Sequence, residues 1–307
     1  MNIWNDKPYY ALGYYYKELY GQKVYKIALN ANLSCPNRDG KLDTRGCLFC
    51  SEGGSGDFAS DKNLSITHQI EQGKELIRKK SKGAKFIAYF QAFTNTYGDL
   101  DYLREIYEEA ILHPDIVGIS IATRPDCLDD DILTLLHEVN KKKKVWIELG
   151  LQSIHENTAK LIRRGYSLDC FDLAVKNLSQ YSIDIVVHLI IGLPGETYED
   201  LLNTIDYVVS KPIHGIKLQL LHILKGTDLA NYYHDCSMTP LSLQAYADLI
   251  VDCIERIPQN IVIHRITGDG PKDLLLAPLW SANKKLVLNT IMKRFKDRSS
   301  YQGKYFD

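Results

Sequence analysis

The stretch that decides the fold is "DIVGISIATRPDCLDDDILTLLHEVNKKKKVWIELGLQS", residues 115–153. It begins and ends with short, nearly continuous apolar runs, which are typical of strands covered on both faces of a parallel sheet. Between them, residues 129–144 follow an Asp-rich N-cap signal and place apolar residues at helical spacing. The stretch therefore predicts a β-α-β unit with a right-handed crossover.

The same alternation extends in both directions along the chain. Strands are predicted at 23–30, 85–91, 115–123, 144–152, 183–192 and 215–224, and helices at 65–82, 99–113, 129–144, 167–181 and 197–210. Six such units favour an α/β fold built as a partial (β/α)6 barrel, with a doubly wound sheet as the alternative. We expect an N-terminal extension (1–22), the barrel (23–225) and a C-terminal α/β extension (226–307) that packs on it. The last contains a helix at 241–256, a strand at 260–266 and a basic helix near 282–297.

Composition limits the classes of function. The chain has 307 residues, 45% of them hydrophobic, and a formal net charge of -1, so a polyanion must be bound by local patches. No signal-peptide core and no apolar run of membrane-spanning length is present in the sequence. The seven cysteines are irregularly spaced in a chain too long for a disulfide scaffold. We expect a cytoplasmic protein without membrane association.

Three of the cysteines lie in one loop, "LNANLSCPNRDGKLDTRGCLFCSEGG" (29–54), between the first strand and the first barrel helix. Cys35, Cys47 and Cys50 have the spacing C-x11-C-x2-C. A structural zinc site requires four closed ligands, and the loop has no second C-x2-C pair. Three thiolates suit a [4Fe–4S] cluster with one open iron, although a zinc-tied loop remains the alternative.

Motifs outside the loop indicate the family. They follow "CPNRDG…GCLFC" in the order "YFQAFTNTY" (89–97), "TRPDCL" (123–128), "ELGLQS" (148–153) and "GLPGET" (192–197). In this the chain resembles radical S-adenosylmethionine (SAM) enzymes of the elongator-catalytic-subunit-like group. It is similar there to a small bacterial subgroup without an acetyltransferase domain, which includes the MnmL-type enzymes of tRNA wobble-uridine modification. The long first spacing departs from the superfamily's usual C-x3-C-x2-C but is typical of this group.

The resemblance implies the cofactors and the residues that bind them. A [4Fe–4S] cluster on Cys35, Cys47 and Cys50 would reduce SAM and cleave it to a 5′-deoxyadenosyl radical. The SAM contacts implied are Phe49, Gln91, Ala92, Thr123, Arg124, Gln152, Ser153, Arg164, His188 and Gly192. Arg164 would hold the SAM carboxylate, and His188 would stand where relatives bind the ribose. For both, a purely structural role is the alternative: a solvated basic helix end and a core histidine.

Substrate contacts are predicted on the C-terminal basic helix, where Lys284, Lys285, Lys293 and Arg294 could line one side of a tRNA backbone; a solvated helix face is the alternative. Tyr14, Tyr15, Tyr16, Tyr89 and Tyr97 are expected to flank the active-site face, where their rings could stack on bases; filling of core and surface is the alternative. The resemblance implies conversion of the 5-carboxymethylaminomethyl group of wobble uridine to 5-aminomethyl. It also implies a low-potential electron donor such as flavodoxin or ferredoxin. A radical SAM enzyme with a small-molecule or protein substrate, and a non-catalytic Fe–S or zinc adaptor, are the alternatives.

Overall fold

Seven parallel strands form one sheet in the computed structural model, which describes residues 4, 6–79, 81, 83–235 and 238–306. In sheet order they are β1 (Val24–Leu29), β2 (Lys85–Phe90), β3 (Ile116–Thr123), β4 (Lys144–Gln152), β5 (Asp184–Ile191), β6 (Gly215–Leu220) and β8 (Val262–Arg265). A separate antiparallel pair consists of β7 (Ile223–Leu224) and β9 (Leu275–Ala277). The six strands predicted in the β/α units are confirmed, and the strand predicted at 260–266 is the seventh member of the sheet.

Helices connect the strands and cover the outer face of the sheet. They are α1 (Leu12–Tyr20), α2 (Ile66–Ile77), α3 (Leu100–Leu112), α4 (Asp130–Lys142), α5 (Glu156–Leu161), α6 (Leu168–Gln180), α7 (Tyr198–Val209), α8 (Asp228–Asp235), α9 (Leu243–Arg256) and α10 (Lys284–Asp297). Seven of these helices start at a short polar side chain that accepts a free backbone N–H group of the first turn: Ser65, Asp99, Asp129, Ser167, Thr197, Ser242 and Asn283. None of the helices in the described ranges is both long and apolar enough to cross a membrane.

Side chains that meet across the interior show that the sheet is curled. Lys26 of β1 contacts Glu148 of β4 at 2.5 Å, although two strands lie between them in the sheet. Lys217 of β6 donates a hydrogen bond to the Tyr89 hydroxyl of β2 at 3.2 Å. A flat sheet would hold these side chains far apart. The predicted α/β partial-barrel fold is thereby confirmed.

Helix α1 closes the end of the barrel at which the strands start. Tyr15 and Tyr16 pack their rings on Trp146, near the start of β4, with centroids 6.5 and 5.6 Å away. Tyr16 belongs to a buried cluster with Ile87 and Val186, which also lie near the starts of their strands. The prediction that Tyr15 and Tyr16 flank the active-site face is therefore wrong, because α1 folds under the barrel instead of over it. Helix α1 leaves the opposite end of the barrel, at which the strands finish, uncovered.

Candidate active site

A cavity of about 430 Å³ lies at the carboxyl ends of the strands. Its lining includes residues from the ends of β2 to β6 and from the cysteine loop: Cys35, Cys47, Phe49, Cys50, Gln91, Thr123, Arg124, Gln152, Arg164, His188, Lys217 and Gln219. Strand ends in β/α proteins converge on one face, and functional groups from separate strands meet there. The structure thus brings the three loop cysteines and seven of the ten predicted SAM contacts to one cavity. Ala92, Ser153 and Gly192 are not in its lining.

Contacts with the turn after α5 hold the cysteine loop in place. The Asn37 amide donates to the Arg163 carbonyl at 2.7 Å and to the Cys47 sulfur at 3.4 Å. The Arg163 guanidinium donates to the Gly46 carbonyl at 2.9 Å, and the Cys50 amide donates to the Cys47 carbonyl at 3.1 Å. The C-x2-C turn is therefore held against the barrel by side chains outside it.

The thiols have an environment that favours a thiolate at Cys47. The Cys50 thiol donates a hydrogen bond to Cys47 and so lowers the pKa of Cys47, with further help from Asn37 and the charges of Arg124 and Arg163. Within the described residues, no three His, Cys, Asp or Glu side chains could hold a single metal ion. Because Cys35, Cys47 and Cys50 instead face one cavity, this donor set fits a thiolate-bound cluster.

The Arg164 guanidinium makes more contacts with other groups of the protein than the sequence predicted. It is 1% exposed, and its guanidinium donates to the carbonyls of Ser153 at 2.6 Å and Tyr166 at 3.0 Å and contacts Glu156 at 3.1 Å. These bonds fix the turn after β4. The alternative of a solvated helix end is wrong, because the side chain is buried. Together with the Leu151 carbonyl, these partners use four of the five N–H groups, so a two-point contact with a SAM carboxylate would have to displace one of them. The carboxylate contact stays a prediction.

His188 lies on the inner face of β5 and contacts the Glu148 carboxylate through Nε2 at 2.8 Å. Burial and the charge of Lys217 lower the pKa of His188 to about 4, although Glu148 acts in the opposite direction. The ring is therefore neutral at pH 7, with its proton on the nitrogen that faces the carboxylate. Its Nδ1 remains an acceptor, which suits a ribose hydroxyl. The predicted ribose contact has the right chemistry but stays a prediction.

Sequence reasoning missed a charged cluster on the cavity floor. Glu148 is fully buried and accepts from Lys26 at 2.5 Å, Ser120 at 2.6 Å, His188 and Lys217. Burial would raise the pKa of Glu148, but the charges of Lys217 and Lys26 outweigh it and hold that pKa well below the usual value. The available signal was a charged residue at inward positions of otherwise apolar strands, as in "KVWIELGLQ" and "GIKLQL".

Comparison with known proteins identifies the family. Residues 44–208 match the family model of the Radical SAM superfamily, and residues 213–297 match the Radical_SAM C-terminal domain. The chain belongs to the radical SAM superfamily. It is 44% identical to YtqA of Bacillus subtilis over 301 residues, covering 98% of this chain and 94% of YtqA.

Two further relatives have descriptive names. The tRNA uridine(34) acetyltransferase of Dehalococcoides mccartyi is 27% identical over 185 residues, or 59% of this chain and 39% of that protein. The solved structure of Methanocaldococcus infernus Elp3 superposes with a TM-score of 0.68 at 17% identity, covering 91% of this chain and 64% of that one. The latter likeness establishes the shared fold. The radical SAM assignment makes the chain an enzyme of the α/β partial-barrel type.

The predicted tRNA-contacting residues of this radical SAM enzyme differ in their surroundings. Arg294 forms a two-point contact with Asp248 at 2.6 and 2.7 Å, so its charge is already neutralised. Lys284 contacts Asp269, which lines the cavity, at 2.5 Å. Lys285 and Lys293 are exposed. The first turn of α10 is thereby linked to the cavity rim, whereas Arg294 is tied to α9.

Proposed function

We propose that this radical SAM enzyme modifies the wobble uridine of tRNA, converting its 5-carboxymethylaminomethyl group to 5-aminomethyl. The proposal rests on one observation: Cys35, Cys47 and Cys50 line the same cavity as polar residues from the strand ends. Similarity to a protein named tRNA uridine(34) acetyltransferase supports the choice of tRNA as the substrate class. The site of action would be the cytoplasm, with flavodoxin or ferredoxin as the electron donor.

Each part of the cavity has a task in this proposal. Cys35, Cys47 and Cys50 would bind a [4Fe–4S] cluster, and the strand-end residues Gln91 and Gln152 would orient SAM. When bound, these cofactors supply a 5′-deoxyadenosyl radical that takes a hydrogen atom from the substrate. Helix α1 seals the opposite end of the barrel, which keeps water from reaching the reacting atoms from below.

The test is mass spectrometry of tRNA nucleosides from cells that lack the protein. We expect 5-carboxymethylaminomethyluridine to accumulate at the expense of 5-aminomethyluridine. A plasmid copy should restore the pattern, Cys47→Ala should not, and the matched variant Cys170→Ala should. An unchanged nucleoside profile would reject the tRNA substrate and favour a small-molecule or protein substrate instead.

A further inference from the structure

The floor of the cavity carries more positive than negative charge. Lys26 and Lys217 share one carboxylate, Glu148, with Lys26 on one oxygen and Lys217 on the other. Glu148, Lys217 and Arg265 of β8 line the cavity, whereas Lys26 is not part of the lining. The Arg265 side chain makes no ion pair or hydrogen bond with any residue that the structure describes. Among the described residues, Glu148 is thus already shared by two lysines, and Arg265 adds a further positive charge without a carboxylate of its own.

The register of the sheet places two of these cations side by side. Lys217 and Arg265 are partners in the β6–β8 pairing, and His188 is the partner of Lys217 on the other side. Burial, and then repulsion from Lys26 and Arg265 acting against Glu148, lowers the pKa of Lys217 to about 7. Like charges so close in a buried site are unfavourable unless an anion joins them.

His222, which is close enough to Arg265 to feel its charge, also lacks a partner. It is 8% exposed and lines the cavity, and its buried Nε2 has no hydrogen-bond partner among the described residues. The loop at 268–270 lies close to the ring, since a Cβ added to Gly268 would be 3.0 Å from it. The nearby carboxylate, Asp269, is held by Lys284 at 2.5 Å. An unpaired buried imidazole beside an unpaired guanidinium indicates a missing ligand.

We propose that Lys217, Arg265 and His222 form an anion subsite that binds the carboxylate of the substrate's carboxymethylaminomethyl group. This rests on the proposed function for the identity of the substrate. The subsite lies inside the barrel, where Lys217 is only 6% exposed. A carboxylate at the tip of a base substituent can enter that space, whereas a backbone phosphate of a polynucleotide stays outside. A guanidinium binds a carboxylate with two parallel hydrogen bonds, which supplies both affinity and orientation.

The experiment compares two ligands that differ by one carboxylate charge. The cluster-loaded protein is titrated anaerobically with 5-carboxymethylaminomethyluridine and with its carboxamide, which keeps the secondary amine but lacks the carboxylate, and heats of binding are recorded. We expect the acid to bind the native protein about 10-fold more tightly. Arg265→Gln should bring the ratio close to one, and Arg265→Lys should keep part of the preference. Arg104→Gln removes an equal charge from a surface pair with Glu138 and should keep the full ratio.

Several outcomes would overturn the subsite. Equal binding of acid and amide by the native protein would do so, as would an unchanged preference in Arg265→Gln. A loss of SAM affinity in Arg265→Gln as large as the loss of nucleoside affinity would assign the subsite to SAM instead.

The tRNA proposal is tested separately, by analysis of the tRNA nucleosides of cells that lack the protein, and an unchanged profile would reject it. In that case N-acetylglycine and its amide serve as probes. A charge preference that Arg265→Gln abolishes would retain the subsite, and its absence would reject it.

Discussion

The buried carboxylate of Glu148 is the sharpest place to test the electrostatics of the barrel. Glu148→Gln keeps the shape of the side chain but removes the carboxylate charge that Lys26 and Lys217 share. Removing one partner of a buried ion pair costs about 3–5 kcal/mol. At roughly 2–4 °C per kcal/mol for a chain somewhat smaller than this one, the melting temperature should fall by about 6–20 °C. Glu75→Gln is the matched control, since that carboxylate is 69% exposed and pairs loosely with Arg78 at 3.5 Å; it should cost less than about 1 kcal/mol.

The pH dependence of the same variant provides a second check. The folded-state pKa of Lys217 is about 7, below its ordinary value of 10.5. The unfolded chain therefore binds more protons between these values, so stability falls as pH drops through this window and levels off below it. In Glu148→Gln the pKa of Lys217 should fall further, so the loss should continue below about pH 7. Thermal unfolding followed by circular dichroism at about pH 6 and pH 9 measures this. A melting temperature within about 2 °C of the native protein at both values would refute the reasoning.

Three further predictions concern the cofactors and tRNA. Cys35→Ala, Cys47→Ala and Cys50→Ala should each abolish iron binding and 5′-deoxyadenosine formation, whereas Cys127→Ala and Cys170→Ala should preserve both; stoichiometric zinc in active protein would contradict this. Arg163→Ala should lower the iron content because Arg163 holds the cysteine loop at Gly46; an unchanged iron content would refute this anchoring role. Arg164→Ala should lower the melting temperature. It should also weaken SAM binding, by about 1.5–3 kcal/mol if the carboxylate contact forms. Lys285→Glu combined with Lys293→Glu should weaken tRNA binding and flatten its log–log salt slope by roughly 0.7–0.9 per lost phosphate contact. Arg294→Glu should have a smaller effect, because the Arg294 guanidinium is already paired with Asp248. Filter binding over a salt series measures both, and equal effects would contradict the role given to the Arg294–Asp248 pair.

Local patterns account for what the sequence could predict. The strands were predictable because burial on both faces of a parallel sheet leaves an unbroken apolar run, as at 183–192. The helix starts were predictable because Asp129 or Thr197 caps them through its own side chain. The cysteines could be assigned together because they lie within one short loop. We also expect Cys236 to be dispensable for SAM cleavage; this residue lies outside the described residues.

The charged floor could not be predicted, because it depends on distances between strands that are far apart in the chain. Lys26 and Glu148 are separated by more than a hundred residues, and only the curl of the sheet brings them to 2.5 Å. The hydrogen bonds of Arg164 could not be predicted either, since they depend on which backbone carbonyls at the end of β4 point toward its side chain. Register and curvature, rather than residue type, decide both features.

The charged floor also bears on what the barrel is built to do. A buried ion pair is weak evidence for stability, because apolar residues of similar volume often stabilise a core as well or better. Tyr16, Ile87, Trp146 and Val186 form such an apolar cluster inside the barrel. Glu148 and Lys217 differ because they line the cavity, and Lys26 joins them through the Glu148 carboxylate. The same lining includes the Arg265 guanidinium and the His222 imidazole, whose side chains have no hydrogen-bond partner among the described residues. Unpaired cationic and polar groups at a cavity wall cost stability unless a ligand binds them, so their presence supports a charged ligand in this cavity.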